Sequence, residues 1–233
     1  MLRALARRLL PSRCVVCSLQ DGAPEMSICT ECEADFFAAD GARCERCAIR
    51  VQDVGVLSQT CGRCLAEDPH FDATTTLADY VAPIDGMVMA LKFTARLDLA
   101  TFFGKLLARR VVERSDWREA IIVPVPLAFE RLRQRGFNQS HQIARAFALA
   151  VRGRLANDRL VRTRHTPPQQ SLALKDRRSN VRGAFAVEGD VRGRSMFIVD
   201  DVMTTGSTVL EVAETLRLVG AEDVRAWVCA RVP

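Results

Sequence analysis

The chain has 233 residues, 48% hydrophobic and 26% charged, with a formal net charge of +5; this is globular composition and excludes wholesale disorder. No run of 18 apolar residues occurs, so no membrane span is expected. Charge is uneven: residues 1–70 are net −2, residues 131–182 are net +11, and 30 of the 33 basic side chains are arginine.

The first ten residues are too interrupted by Arg3, Arg7 and Arg8 to form the apolar core of a secretory signal, and the protein is expected in the cytoplasm. Leu2, Leu5 and Leu9 fall on one helical face, fit either to dock on the protein's own body or to touch an anionic surface. Four C-x-x-C pairs follow: Cys14/Cys17, Cys29/Cys32, Cys44/Cys47 and Cys61/Cys64. One such turn lets two thiolates grip an ion, and a second turn completes a closed tetrahedral zinc site with no position left for water. Structural zinc, two ions in all, is the expectation. Sequential pairing and cross-bracing of alternate pairs both satisfy the ligand count. Few large apolar residues lie between the pairs, so metal binding must supply most of the local folding energy, on the order of 10 kcal/mol per site. The segment is net acidic, so its charge alone does not support phosphate tracking, and protein contact is at least as good a reading. Composition changes near Asp68-Pro69-His70, and the chain is divided into domains at 1–70 and 71–233.

From Pro83 to about Glu113 a helical pattern carries Met87, Leu91, Leu99, Phe103, Leu106 and Leu107. Ala120-Ile121-Ile122-Val123-Pro124-Val125-Pro126 reads as a buried strand, followed by a loop from Leu127 to Gly136. A helix is expected from about Asn138 to Arg152, with Ile143, Phe147 and Val151 on one face. The basic block 131–182 predicts an anionic partner, nucleic acid or a small polyphosphate, unless arginine merely replaces lysine under a biased coding composition. Leu160-Val161 is a short strand candidate, residues 165–182 a long loop around Thr166-Pro167-Pro168-Gln169-Gln170, and Ala184-Phe185-Ala186-Val187 a further strand. Met196-Phe197-Ile198-Val199 is a buried strand, a helix runs from about Ser207 to Val219 with its stop at Gly220, and 224–230 is the last strand, with Cys229 in its core. Strands alternating with helices predict an α/β fold, a mostly parallel sheet covered on both faces.

The most informative segment joins that strand to that helix. After Val199 come Asp200 and Asp201, then Thr204, Thr205, Gly206, Ser207 and Thr208. A short loop opening a helix offers free amides and hydroxyls to an anion, and Gly206 permits close approach. Adjacent carboxylates repel phosphate but suit vicinal hydroxyls or a divalent cation. Ribose 5-phosphate satisfies both halves.

Here the chain resembles a known family. The segment is similar to the phosphoribosyl-pyrophosphate (PRPP) motif of type I phosphoribosyltransferases. More narrowly, the whole chain resembles the ComF family, through its paired zinc ribbons, Leu91-Lys92-Phe93, Val123-Pro124-Val125-Pro126, the stretch Arg131 to Gln139, Thr166-Pro167-Pro168-Gln169, and the stretch Arg178 to Phe185. The resemblance implies a type I phosphoribosyltransferase-like sheet behind a double zinc ribbon, and a part in DNA uptake. It implies that Asp200 and Asp201 hold the ribose hydroxyls, and that Thr204, Thr205, Gly206, Ser207 and Thr208 cradle the 5′-phosphate. Arg131, Arg133 and Arg135 would meet pyrophosphate together with Mg²⁺, and residues 165–182 would be a flap. Thr204 stands where purine-type relatives place a carboxylate base, which excludes that acceptor class. Two functions follow as alternatives: transfer of phosphoribose to an unidentified nitrogen acceptor, or a non-catalytic single-stranded DNA-binding adaptor contacting proteins of the competence machinery.

Overall fold

A computed structural model describes residues 13–19, 28–38, 41–52, 59–111, 120–164 and 181–233. The N-terminal leucine face and residues 165–180 of the expected flap lie outside the described residues. In chain order the elements are α1 (Thr30–Phe37), α2 (Gly62–Glu67), β1 (Ala73–Asp79), α3 (Ile84–Thr94), α4 (Leu97–Val111), β2 (Ile121–Pro124), α5 (Phe129–Arg135), α6 (Gln139–Val151), β3 (Arg154–Leu155), β4 (Leu160–Arg162), β5 (Phe185–Val187), β6 (Ser195–Met203), α7 (Ser207–Leu218) and β7 (Asp223–Arg231).

Strands β6 and β7 are near-continuous apolar runs, the pattern of strands buried on both faces of a parallel sheet. They pair in parallel at its centre, and the strand order is β1-β7-β6-β2-β3, every neighbour parallel. One face packs against α4 and α6 through Leu99, Phe103, Leu107, Ile143 and Phe147. There Trp227 holds Phe147 and Phe197 at ring distances of 4.5 and 4.2 Å. Full burial of such side chains contributes roughly 1.5–3 kcal/mol each. The other face packs against α7 through Val209, Val212 and Leu216. Strands β4 and β5 form a separate antiparallel pair.

The cysteine segment is shared between these faces. Cys14, Cys29 and Cys32 join the core under α4, whereas Cys44, Cys47 and Cys64 join the core under α7. Cys229 is fully buried in β7, as expected.

Several elements differ from the sequence reading. The helical pattern after Pro83 is two helices, because Ala95 takes a left-handed conformation (φ 52°) that closes α3. Arg96 and Asp98 then pair at 2.7 Å at the start of α4. Alanine gives no warning of such a stop, which glycine usually marks. The expected loop 127–136 contains α5, which Gly136 ends at φ 80°. Strands β1 and β3 were not expected. Strand β6 does not stop at Val199 but carries both aspartates to Met203. Among the described residues no helix is long and apolar enough to cross a membrane.

Candidate metal centres and sugar-phosphate site

The cysteines gather as Cys14/Cys17/Cys29/Cys32 and Cys44/Cys47/Cys61/Cys64, with the sulfurs of each set within 4.8 Å of one another. Pairing is therefore sequential, not cross-braced. A tetrahedron with zinc–sulfur bonds of about 2.3 Å has an edge of about 3.8 Å. Cys17 and Cys29 lie 3.8 Å apart and Cys47 and Cys61 3.7 Å apart, sulfur to sulfur. Both sets fit zinc. The amides of Val16 and Cys29 donate to Cys14 Sγ at 3.4 Å, and that of Cys61 to Cys44 Sγ at 3.3 Å. Burial opposes ionisation of Cys14 and Cys44, yet amides aimed at each sulfur outweigh it and hold the thiols down to about 6 and about 7. Each set thus supplies a ready thiolate. Zinc in such four-sulfur sites is a closed, folding-coupled ion without an open position for catalysis.

A cleft of about 260 Å³ opens at the carboxyl ends of β2 and β6. These neighbours mark the point where strand order reverses, β2 leading outward through α6 to β3 and β6 leading the other way through α7 to β7. Ligands of open α/β sheets sit at such a switch point. Thr204, Gly206, Ser207 and Thr208 line one wall. Gly206 caps α7 at φ 81°, a conformation that favours glycine; a Cβ there would stand 2.6 Å from Met203 Cε, a side-chain tip that would have to move. Thr205 does not line the cleft; its hydroxyl pairs with that of Ser207 at 2.7 Å. The first turn of α7, from Ser207 to Val209, lies at the cleft with its positive dipole end, and its Ser207 amide donates to the Thr205 hydroxyl at 3.3 Å.

The two aspartates are held differently. Asp200 Oδ1 accepts the Ser140 hydroxyl at 2.8 Å and the Asp201 amide at 2.9 Å. Burial, with the neighbouring Asp201 carboxylate adding to it, pushes the Asp200 carboxyl up to about 7, against the pull of Ser140, the Asp201 amide and Lys92. Asp201 is 4% exposed. Its Oδ1 accepts the Val202 amide at 2.7 Å and its Oδ2 lies 3.0 Å from Lys92 Nζ. Both aspartates line the cleft, and Asp201 also anchors a lysine that lines it.

Of the three arginines singled out, Arg131 and Arg135 line the cleft. Arg135 stacks on Phe93 at 5.3 Å and donates to Gln139 Oε1. Arg133 is not among the lining residues; its guanidinium lies 5.9 Å from the Phe129 ring. Sequence reasoning missed three contributors. Arg162, from β4, lines the cleft and stacks on Phe185 at 5.4 Å. Ser140 stands just inside α6, where Asn138 caps the helix by accepting from the Ser140 amide at 3.0 Å. Lys92 was legible as one of three lysines in a chain whose other 30 cations are arginine.

Two family descriptions match this chain: a double zinc ribbon domain over residues 5–65 and a phosphoribosyl transferase domain over residues 106–233. DNA utilization protein YhgH of Escherichia coli (strain K12) is 33% identical over 226 residues, covering 95% of this chain and 98% of that protein. Competence protein F of Haemophilus influenzae is 29% identical over 220 residues, covering 87% and 96%. Among solved structures, the glutamine PRPP amidotransferase from B. subtilis complexed with ADP and GMP overlaps 60% of this chain and 30% of its own, at 20% identity and a TM-score of 0.40.

Proposed function

Because the chain belongs to the ComF family, a double zinc ribbon joined to a phosphoribosyltransferase domain, we propose that its cleft binds PRPP with Mg²⁺. In this reading the chain divides at residue 70, and everything C-terminal of that point builds the ligand site. The loop from Thr204 to Thr208 takes the 5′-phosphate, Asp200 accepts from the ribose diol, and Arg131, Arg135, Arg162 and Lys92 meet pyrophosphate. Asp201 acts on the ligand through Lys92. The observation that carries the reading is convergence: the Thr/Gly/Ser loop, both aspartates and four cationic side chains line a single cleft. Mg²⁺ suits this donor set, since it usually binds one or two carboxylates together with substrate phosphates. Calorimetry with PRPP and Mg²⁺ tests it. Wild type is expected to bind, and Asp200→Asn/Asp201→Asn to bind about tenfold or more weaker, the loss of hydrogen bonds to a charged acceptor. Equal binding by the two overturns the assignment. Transfer of phosphoribose to a nitrogen acceptor is the activity this site serves, read as steady pyrophosphate release when the acceptor base is added.

A part in DNA uptake, as a single-stranded DNA-binding component beside competence proteins, is a second reading with its own observation. Phe129 and Phe93 are 61% and 59% exposed, and each carries an arginine over its ring, Arg133 and Arg135 respectively. Exposed rings interleaved with cations are platforms for stacked bases. The two readings separate at one residue. Arg133→Ala is expected to weaken salt-dependent binding of an oligothymidine several-fold while leaving PRPP affinity unchanged, and Arg131→Ala to weaken PRPP. If Arg133→Ala lowers PRPP affinity as much as Arg131→Ala does, the separation of surfaces is wrong.

A further inference from the structure

The four-cysteine sets are chemically alike, but their surroundings are not. The first set is bound to the helical layer: Glu33, in α1, pairs with Arg109 at 2.7 Å, and Phe37 meets Phe102 edge-on at 5.3 Å. Among the described residues none of these contacts reaches the phosphate loop. The second set is bound to that loop by two guanidinium groups. Arg231, 3% exposed at the end of β7, donates from Nε to the carbonyl of its ligand Cys47 at 3.0 Å. The same side chain donates from Nη1 to the Met203 carbonyl at 3.1 Å and to the Thr204 carbonyl. Arg63, between ligands Cys61 and Cys64, donates to the Thr205 carbonyl at 2.9 Å.

Three consecutive carbonyls of the loop are therefore held from behind. In a trans peptide the carbonyl of one residue and the amide of the next point in opposite directions. Holding the carbonyls of Met203, Thr204 and Thr205 rearward turns the amides of Thr204, Thr205 and Gly206 away from the guanidinium groups. Those are the donors an anion needs. Such donors are effective when fixed before the ligand arrives.

We infer that the second zinc centre is the rear support of the phosphate loop, with Arg231 and Arg63 as the positioning residues that join them, whereas the first centre only pins the ribbon to the helical layer. The support exists whether or not a ligand binds; that it serves a sugar phosphate rests on the reading above. Linkage makes the effect reciprocal: zinc at the second centre strengthens phosphate binding, and bound phosphate retains that zinc.

Hydrogen exchange on the full chain decides the matter without a ligand. Cys61→Ser/Cys64→Ser and Cys29→Ser/Cys32→Ser are each confirmed by mass spectrometry to carry one zinc fewer. Exchange of the amides bonded to the loop, Val232 to the Met203 carbonyl, Ser207 to the Thr205 hydroxyl and Leu210 to the Gly206 carbonyl, is expected to accelerate about tenfold or more in the first variant, the loss of hydrogen bonds to a charged donor, and to stay at the wild-type rate in the second. Equal protection in both overturns the inference. Should loss of the ligands loosen the whole fold, Arg231→Lys with both zinc ions retained takes its place. Its loop is expected to lose protection, and a chelator to extract one of the two zincs faster than from wild type; wild-type behaviour on both counts overturns the inference. Ribose 5-phosphate is then added as the probe. It is expected to slow extraction of one zinc in wild type but not in Arg63→Ala/Arg231→Lys. If ribose 5-phosphate does not bind wild type at all, the sugar-phosphate reading fails, while loop exchange still decides the support.

Discussion

Asp200→Asn is expected to raise stability above wild type at pH 8, to leave it level at pH 4, and to weaken ribose 5-phosphate binding. The carboxyl ordinarily titrates near 3.8 and in the folded chain near 7, through burial first and the Asp201 charge second. The folded state thus holds the proton more tightly than the unfolded chain. Whatever stability this group permits is complete below about pH 4 and declines as pH rises through about 7. A shift of that size corresponds to as much as about 4 kcal/mol at pH 8. Asparagine keeps an oxygen for the Ser140 hydroxyl but carries no charge, so the penalty disappears. The cost falls on the ligand side, where an amide oxygen accepts from a diol less strongly than a carboxylate does. Thermal melts of the two proteins at pH 4, 6 and 8 check the first half. A stability difference that stays constant across those values means that the carboxyl titrates normally and is no strained acceptor. Ligand binding has the opposite dependence. If the ionised acid grips the diol, ribose 5-phosphate affinity falls as pH drops below about 7, beyond the fall that a phosphate monoester without the diol shows from its own protonation at pH ~6.

A buried acid held above its ordinary pKa is where stability and function compete, and its sequence signature was plain. The acids, the loop and the helix start are consecutive, so the chemistry could be read from adjacent letters. The cysteine sets were legible for the same reason, since each C-x-x-C turn is local; only the choice of sequential pairing needed coordinates. Partners distant in sequence were not legible. Ser140 reaches Asp200 from 60 positions away, and Arg231 reaches the Cys47 carbonyl from 184 away. Nothing in β7 distinguishes its terminal arginine from the many others in the chain. The arginine spacing misled in part, because Arg131, Arg133 and Arg135 were read as a loop. On the helix α5, residues two apart do not share a face, which sends Arg133 to Phe129 and leaves its neighbours to the cleft. The break at Ala95 had no local signal, being an alanine in a conformation that alanine rarely adopts.

Lys92→Met is expected to cost about 3–5 kcal/mol, the usual consequence of removing one partner from a buried ion pair. Lys92 and Asp201 side chains are 13% and 6% exposed and meet at 3.0 Å. Methionine fills the space of the lysine stem, so the loss is electrostatic and not a cavity. It leaves Asp201 charged beside Asp200, held by the Val202 amide and the charge of Arg135. Lys92→Met/Asp201→Leu removes both charges and is expected to recover most of the stability, because replacing a buried pair by apolar side chains is often neutral. It also relieves Asp200 of its nearest like charge, which brings the Asp200 carboxyl back toward its ordinary value. Denaturant melts of the two single variants and the double variant form a cycle that isolates the pair. A single Lys92→Met loss under about 1 kcal/mol would place the pair in the class of solvated surface contacts. Sugar-phosphate affinity should not recover with stability in the double variant, since the ammonium that lines the cleft is still missing. If affinity returns along with stability, Lys92 serves only to neutralise Asp201, and pyrophosphate recognition falls to Arg131, Arg135 and Arg162 alone.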